Sequence, residues 1–199
     1  MLGFEPGTDD RNSTYRVLGS VVTPRPIGWI STQSTDGEVN LAPYSFFNAV
    51  SFAPPVLMFA AITRTDGLTD TARNVLDTGE FVASLVTEPL AAAMDETSAP
   101  LDAEENEFEH AGLETAPSVR VDAPRVAEAA AALECSLYDS LDIEGNSTVV
   151  FGRVEYVHLD ESILTDGTVD ARKIRAVGRI GGPYYTETAV MDLERAYYE

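Results

Sequence analysis

The sequence predicts a mostly antiparallel β-barrel whose ends are filled by short helices. About six runs rich in β-branched and aromatic residues are separated by turn signals, and only two or three segments have helical periodicity. The runs follow one another through hairpin-type connections and not through helical crossovers, which favours a barrel over a parallel α/β sheet. A chain of 199 residues can bury one sizeable core, so we expect a single domain over residues 1–199.

The first half of the chain is predicted to contain strands and one well-marked helix. Residues 69–79 should be helical, because Thr69 or Asp70 can cap the start, apolar residues recur on one side, and Gly79 can end the helix. The period changes to that of strands on both sides of this helix. The predicted strands of this half are residues 27–33, 39–51, 56–62 and 81–86.

The second half is predicted to contain a helix, a long irregular segment and a hairpin. A proline followed by Ala, Leu and Met predicts a helix over residues 88–97. Residues 97–126 are rich in Pro, Glu and Ala; they form either a linker between domains or an excursion packed on one domain, and we expect the excursion. The turn signal "EGN" then joins residues 131–143 and 147–160 in a hairpin.

The charge of the chain limits its partners and its environment. Thirteen Lys and Arg residues stand against 33 Asp and Glu residues, the formal net charge is −20, and Lys173 is the single lysine. Such a field repels nucleic acids and anionic membranes, so we expect neither as a partner. The carboxylates are dispersed and do not form one acidic tail, which is typical of proteins from a very salty cytoplasm and predicts a halophilic source.

The sequence carries no signal for secretion, membrane insertion or metal binding. The N-terminus lacks the basic and apolar regions of a signal peptide, and no apolar run approaches the ~18 residues of a membrane span, so we expect a cytoplasmic protein. No Cys/His cluster has the spacing of metal ligands, and we expect no metal site. The lone Cys135 alternates with Leu133 and Leu137, which predicts a buried strand residue.

The segment "NLAPYSFFNAVS" is a candidate ligand site. Pro43 cannot donate a ladder hydrogen bond, so the sheet must open or bulge there and leave neighbouring backbone groups free. Free backbone groups beside Tyr44 and Ser45 suit a flat heteroaromatic ligand with alternating donors and acceptors. Asn48 and Ser51 could then line the path of a polyol and its phosphate.

The start of the helix at residues 69–79 is a second candidate. Thr69, Asp70 and Thr71 lie where unpaired N–H groups and the helix dipole favour an anion, and Thr71 adds a hydroxyl. This arrangement predicts a phosphate site.

Both motifs also have a purely structural interpretation. Pro43 could simply mark an edge strand, with Tyr44, Phe46 and Phe47 serving the core and a dimer surface. The helix start could be an ordinary N-cap, which satisfies the same donors. Spacing alone leaves these alternatives open.

Seven segments of the chain resemble, in order, those of the flavin reductase-like, FMN-binding split-barrel proteins, and in particular the flavoredoxin-type branch. The similarity runs from about residue 14 to 188, nearly the whole chain, and is specific to the family more than to a substrate. The segments are "TPRPIGWIST", "VNLAPYSFFNAVSFAPPVLMF", "TDTARNVLDTGEFVASLV", "ETSAP", "EFEHAGL", "PRVAEAAAALEC" and "VGRIGGPYYT".

The resemblance implies a homodimer of split barrels with FMN bound non-covalently near the subunit interface. The residues whose backbone would face the isoalloxazine are Ala42, Pro43, Tyr44 and Ser45. The residues that match polar positions toward the ribityl chain and phosphate are Arg25, Asn48 and Ser51, with Thr71 and Asn74 at the helix start. The residues of the C-terminal motif that reaches toward the flavin are Arg179, Gly181 and Tyr184.

The chain departs from the family pattern at two places. Thr69 replaces a lysine that relatives often use at the phosphate; Arg64 or Arg73 could substitute for it, and weaker FMN affinity is equally consistent. Near the hairpin turn, relatives often carry a histidine where this chain has Asn146 and Ser147. A lone histidine on a strand is more often structural than catalytic, so neither His110 nor His158 is given a chemical role.

The resemblance therefore predicts an FMN-dependent oxidoreductase that uses NADH or NADPH and passes electrons to free flavin, a metal chelate, a monooxygenase or another electron-transfer partner. No catalytic side chain is predicted, because the cofactor performs the hydride transfer and the protein binds and orients it. Two alternatives stay open: a flavoredoxin-like carrier reduced by a protein donor, and a flavin-binding module without turnover.

Overall fold

The computed structural model describes residues 3–9, 13–65, 67–101 and 105–193. Antiparallel strands with few helices make up the described chain, which confirms the predicted fold class. The helices are α1 (Thr14–Val21), α2 (Asp70–Thr78), α3 (Ala91–Glu96) and α4 (Glu107–His110). The strands are β1 (Arg25–Pro26), β2 (Gly28–Gln33), β3 (Val39–Tyr44), β4 (Phe47–Phe52), β5 (Pro55–Ile62), β6 (Glu80–Leu85), β7 (Thr115–Ala116), β8 (Arg125–Val126), β9 (Ala131–Ile143), β10 (Ser147–Leu159), β11 (Leu164–Thr165), β12 (Thr168–Val169), β13 (Val177–Arg179) and β14 (Tyr185–Glu187).

One seven-stranded sheet, in the order β3-β2-β6-β9-β10-β5-β4, curls into the barrel. Strands β9 and β10 form the predicted hairpin, with Ser147 opposite Ile143 and Leu159 opposite Ala131. Strand β3 ends the sheet on one side and approaches β5 across the seam of the barrel. A second sheet, in the order β1-β13-β14, lies beside this seam, where β1 contacts β4.

The prediction of one continuous strand over residues 39–51 was wrong. The chain forms β3, turns at Ser45 and Phe46, and continues as β4, and these two strands lie at opposite ends of the sheet. Strand β3 pairs with β2, whereas β4 pairs with β5, so the turn carries the chain across the seam. The run of β-forming residues is continuous in the sequence, and local propensity cannot show that its pairing partner changes.

Aromatic rings fill the inside of the barrel. The ring of Phe59 lies 4.9 Å from that of Tyr44 and 5.3 Å from that of Phe81. Cys135 is fully buried in the same cluster, as its alternation with leucines predicted. Gly152 lies directly against the Phe81 ring, so even a methyl group there would overlap it. Burial of each ring stabilises the fold by roughly 1.5–3 kcal/mol relative to an exposed ring.

Both predicted helices are present, and their ends differ slightly from the predicted ones. Thr69 is the N-cap of α2, since its side chain accepts a hydrogen bond from the Ala72 amide at 3.3 Å. Gly79 ends α2 in the left-handed region at φ 78°, where a side chain would be strained. The predicted helix over residues 88–97 begins with a 3₁₀ turn at Glu88–Leu90 and continues as α3.

The described parts of the excursion, residues 97–101 and 105–126, pack on the barrel, and residues 102–104 lie outside the described chain. Phe108 of α4 is buried in the cluster that contains Trp29 and Val126. The carboxylate of Glu134 on β9 accepts hydrogen bonds from the amides of Val119 and Arg120, at 2.8 and 2.6 Å. Across the described ranges, no helix is long and apolar enough to cross a membrane.

Candidate functional site

A cleft of about 370 Å³ opens at the seam of the barrel, between β3 and β5. It falls within the usual size range of small-molecule sites, and it brings polar groups from several elements together. Another cleft, of about 430 Å³, is lined mainly by apolar side chains such as Ile27, Leu85 and Val177. The seam cleft is therefore the candidate site. Its walls are β3 and the following turn, Ala60 and Ile62 of β5, the start of α2, residues 97–101, Glu107 and Tyr15.

One wall of the cleft is the outer edge of β3. Leu41 and Pro43 lie opposite Ser31 and Trp29 of β2, in alternate pairs of the ladder. The Leu41 amide points away from β2, because it donates to the Glu107 carboxylate at 3.2 Å. By alternation the backbone groups of Pro43 face the same way. The missing N–H of Pro43 therefore leaves the pairing with β2 intact and places a carbonyl without a neighbouring donor on the cleft side.

The start of α2 forms the end of the cleft. The hydroxyl groups of Tyr44 and Thr69 lie 3.2 Å apart, so this cap is tied to the end of β3. Thr71 is buried and its hydroxyl accepts from the Asn40 side chain at 2.8 Å. Burial raises the pKa of Tyr44 above its ordinary value of 10.0, against the lowering effect of the Thr69 hydrogen bond. Tyr44 is therefore a neutral hydroxyl at neutral pH.

The charged groups at the cleft differ in their ion pairs and in their burial. Arg73 is held by Asp70 at 2.6 Å, so its charge is largely neutralised. Arg64 lines the cleft, and no described carboxylate forms an ion pair with it. Burial raises the pKa of the Glu107 carboxyl above its ordinary value of 4.5, although the Leu41 amide opposes the shift. Of the two arginines considered as substitutes for the missing lysine, Arg64 lines the seam cleft and Arg73 does not.

Arg25 is nine-tenths buried beside the cleft and holds three segments of the chain together. Its guanidinium donates to the carbonyls of Gly19 and Val22 at 2.5 and 2.8 Å, and to that of Ile180 at 3.0 Å. Its Nε atom donates to the Ser45 hydroxyl at 3.4 Å. Arg25 thus joins α1, the C-terminal motif and the turn after β3, and reaches the cleft through Ser45.

The C-terminal motif lies against α1 next to the seam cleft. Arg179 donates to the Gly182 carbonyl at 2.6 Å and to the Tyr185 hydroxyl, and its guanidinium lies 4.5 Å from the Tyr185 ring. Gly181 packs so closely on Ser20 that an added Cβ would lie 3.1 Å from the Ser20 Cβ. Arg179 and Tyr184 line two smaller clefts that adjoin the seam cleft.

The structure brings together only part of the predicted site. Ala42, Pro43, Tyr44, Ser45 and Thr71 line the seam cleft. Four others line the adjoining clefts: Arg25, Arg179, Gly181 and Tyr184. The last three lie elsewhere, since Asn48 and Ser51 are on β4 beyond the turn, and the amide of Asn74 is buried against the Thr32 hydroxyl at 3.0 Å. In the single chain these three residues lie outside the wall of the seam cleft.

Sequence reasoning missed several residues of the cleft, and three of them matter most for its polar groups. Asn40 and Glu107 hold the start of α2 and the edge of β3, and Tyr15 reaches the cleft from α1. Asn40 could have been found, because it lies two positions before Ala42 and so faces the same side of its strand. Glu107 and Tyr15 come from segments far away in sequence, and no local pattern marks them.

Comparisons with known proteins give a consistent result. The model of the flavin reductase like domain matches residues 19–178. An uncharacterised protein of Aquifex aeolicus is 43% identical over 180 residues, which cover 89% of this chain and 91% of that protein. Nitrilotriacetate monooxygenase component B of Bacillus cereus has a structure with a TM-score of 0.91 and 29% identity, over 98% of both chains. The 2-nitrobenzoate 2-nitroreductase of Pseudomonas fluorescens has a TM-score of 0.84 and 27% identity, over 97% of this chain and 95% of that one.

Proposed function

The chain belongs to the flavin reductase-like family, and on this premise we propose that it is an FMN-dependent oxidoreductase that uses NADH or NADPH. The observation that carries the proposal is the construction of the seam cleft, which joins the outward backbone edge of β3 to the first turn of α2. The free Pro43 carbonyl on this edge suits the N–H group of the pyrimidine ring of a flavin as an acceptor. A helix start with a hydroxyl and a nearby arginine suits a phosphate.

The residues present fit FMN. Ala42, Pro43, Tyr44 and Ser45 would hold the isoalloxazine through their backbone, while Thr71 and Arg64 would hold the phosphate. Asn48, Ser51 and Asn74 remain predicted contacts of the ribityl and phosphate side. The matched family and a cleft volume within the range of small-molecule sites support this assignment.

Bound FMN would supply the redox chemistry, taking a hydride from a reduced nicotinamide and passing electrons onward. The chain's own contribution is binding and orientation. Tyr44 and Thr69 fix the start of α2 against β3, and Arg25 fixes the turn at Ser45. These two contacts would hold the wall of the cleft in place and so orient a bound flavin.

The first test is the absorbance spectrum of the purified protein in high salt, followed by anaerobic addition of NADH or NADPH. We expect a yellow protein whose absorbance near the flavin maximum is bleached. A yellow protein that stays oxidised would contradict nicotinamide chemistry and favour a protein donor or a binding role. A colourless protein that takes up no added FMN would reject the site.

The phosphate contact can be tested separately with an Arg64→Leu variant. We expect FMN affinity to fall roughly tenfold, as for the loss of one charge-assisted hydrogen bond, while riboflavin affinity is unchanged because riboflavin has no phosphate. Arg120→Leu is the matched control, since Arg120 is an exposed arginine of the excursion outside the seam cleft. Equal losses for both variants would show that net charge, and not a local contact, determines binding.

A homodimer is the proposed assembly. Strand β4 exposes Val50 and 92% of the Phe52 side chain, and β9 exposes Tyr138, Leu141 and Ile143. Exposed apolar groups on this scale are typical of an interaction surface. Phe46 and Phe47, which the sequence suggested for a dimer surface, are less exposed than Phe52. Phe47 packs against the core. Light scattering should give a dimer mass, which Phe52→Asp lowers and the control Val190→Asp, at another exposed valine, does not.

The electron acceptor follows from the family only at the level of a class. The nitrilotriacetate monooxygenase component B structure supports a monooxygenase or another electron-transfer partner that receives reduced flavin or electrons. The contacts of the excursion with the barrel support one flavin reductase-like domain over residues 1–199.

A further inference from the structure

Two smaller clefts extend the seam cleft along α1 and the C-terminal motif. The first shares Tyr15, Ser45 and Phe46 with the seam cleft, so the two are contiguous. The second shares Tyr15 and Arg16 with the first and continues over residues 180–184. We call the two smaller clefts together the arginine trough, because Arg16, Arg25 and Arg179 lie along it.

The charge of the arginine trough contrasts with that of the chain. The formal net charge is −20, yet no Asp or Glu is found among the described residues that line either part of the trough. None of its three arginines forms an ion pair with a described carboxylate, whereas Arg73, Arg172 and Arg175 each do. Arginines that no described carboxylate neutralises, gathered on an acidic protein, favour the binding of an anion.

The three arginines have different roles in the trough. Arg25 is buried and directs its N–H groups to carbonyls, so it contributes positive potential and holds the walls together. Arg179 is partly engaged by Gly182 and Tyr185. Arg16 is exposed, and its guanidinium makes no hydrogen bond to a described residue. Arg16 is therefore the side chain most available to a ligand.

Two exposed tyrosines flank the outer end of the trough. Tyr15 is 70% exposed and Tyr184 is 68% exposed, and both line the outer cleft together with Arg16. Exposed aromatic rings beside an arginine are the usual platform for stacking a nucleobase. From the seam outward, the order is thus a polar cleft, a cationic stretch and an aromatic end.

We propose that the arginine trough binds the pyrophosphate and adenosine arm of a dinucleotide whose redox ring lies in the seam cleft. The pyrophosphate would lie over Arg16 and Arg179, and the adenine would stack on Tyr15 or Tyr184. The inference rests on the proposed function, since that function places a redox ring in the seam cleft. NADH and NADPH carry this arm. FAD carries it too, but the pyrophosphate of FAD includes the flavin phosphate, which the proposed function places at Thr71 and Arg64 and not in the trough. We therefore assign the arm to the nicotinamide dinucleotide.

The direct test is the binding of ADP to the flavin-loaded protein, measured by calorimetry at moderate salt. We expect ADP to bind, and Arg16→Leu or Tyr184→Leu to weaken its binding about tenfold each. Arg120→Leu is again the matched control and should leave ADP affinity unchanged. The absence of ADP binding would overturn the proposal, as would equal weakening by the control.

The source of the arm is then decided by two ratios. If the arm belongs to the nicotinamide, Arg16→Leu lowers kcat/KM for NADH about tenfold relative to that for reduced nicotinamide mononucleotide, which lacks the adenylate. If Arg16→Leu instead lowers FAD affinity relative to FMN affinity by a similar factor, the arm belongs to the flavin, and both the nicotinamide assignment and the placement of the flavin phosphate at Thr71 and Arg64 are wrong. If ADP binds but neither ratio changes, the adenylate is not part of a redox dinucleotide and the proposal is wrong.

The trough and the proposed function can fail independently. ADP binding that depends on Arg16 and Tyr184 would support an adenylate site in the trough even if NADH and NADPH failed to bleach the flavin. Bleaching by NADH without ADP binding would support the reductase function and reject the trough.

Discussion

At the scale of single residues, two carboxylates have unusual environments and opposite shifts. Glu107 lies at the seam cleft, where burial raises its pKa above 4.5. Burial also raises the pKa of the Glu134 carboxyl, but hydrogen bonds from His158, Val119 and Arg120 outweigh this effect and lower the pKa below 4.5. The surroundings of Glu107 thus disfavour its charged form, whereas the hydrogen bonds around Glu134 stabilise its charged form.

Replacing Glu107 with Gln should strengthen FMN binding roughly fivefold at neutral pH, because it removes a negative charge near the proposed phosphate site and keeps an acceptor for the Leu41 amide. Riboflavin is the control ligand, since it has no phosphate and its affinity should not change. Flavin fluorescence quenching measures both affinities. The advantage of the variant should shrink as the pH falls through the raised pKa of Glu107, because the wild-type carboxyl is then neutral too. A variant that bound both flavins more tightly would contradict this interpretation.

Replacing Glu134 with Gln should destabilise the protein by about 2 kcal/mol, because an amide NH₂ cannot accept from the Val119 and Arg120 amides and from His158 as the carboxylate does. We expect the Tm to fall by about 4–8 °C. The folded pKa of Glu134 is below its unfolded value, so its stabilisation is present above the unfolded pKa and is lost as the pH falls through the folded one. The difference in Tm should therefore narrow in acid. The control is Glu109→Gln, an exposed glutamate of α4, and an equal loss in that variant would refute the assignment.

At the scale of elements, the contact between α1 and the C-terminal motif determines the hydrogen bonds of Arg25 and the shape of the arginine trough. Helix α1 supplies the carbonyls of Gly19 and Val22 to Arg25, while the motif supplies that of Ile180. Gly181 allows the close approach because a Cβ there would lie 3.2 Å from the Ser20 Cα. The distance between the two elements thus depends on one glycine and one buried arginine.

Gly181→Ala should push the C-terminal motif away from α1 and destabilise the protein by roughly 1–3 kcal/mol, as overpacking does. Gly19→Ala is the matched control on α1, since an added Cβ there meets nothing within 4 Å and should stabilise the helix by up to about 1 kcal/mol. Urea unfolding measures both effects. If the Gly181 variant were as stable as the wild type, the contact with Ser20 would not constrain the trough.

At the scale of the whole molecule, the net charge of −20 opposes the compact state through self-repulsion. The few described ion pairs, such as those of Arg73 and Arg175, lie at the surface and offset little of it. The halophilic source remains a prediction from this composition. The described lining of the arginine trough holds arginines and no carboxylate, so its local charge is opposite in sign to that of the chain.

The Tm should rise as KCl is added, because salt screens the repulsion between carboxylates. The Debye length falls from about 10 Å at 0.1 M to about 3 Å at 1 M, so most of the gain should occur below about 1 M. Calorimetry across this range measures the effect. Sucrose at matched osmolality is the control, since it has no charge to screen with. A Tm that did not respond to KCl would show that the carboxylates are too far apart to repel.

Local sequence patterns determined strands β2, β5 and β6, the caps of α2, the β9–β10 hairpin and the buried state of Cys135, because these depend on neighbours along the chain. They also placed Pro43, Tyr44 and Thr71 among the candidates, since turn and helix-start chemistry is local. Tertiary structure alone decided that β3 and β4 separate at Ser45, because pairing partners come from distant segments.

Tertiary structure also decided which polar side chains lie at the seam cleft. Glu107, Arg25 and Tyr15 reach the cleft or its wall from three separate segments, and Asn74 turns instead to the buried Thr32 hydroxyl. The sequence alone determined the family, the fold class and the acidic character of the protein. The positions of individual polar groups had to await the structure, because burial and hydrogen-bond partners are set by how the barrel closes and not by spacing along the chain.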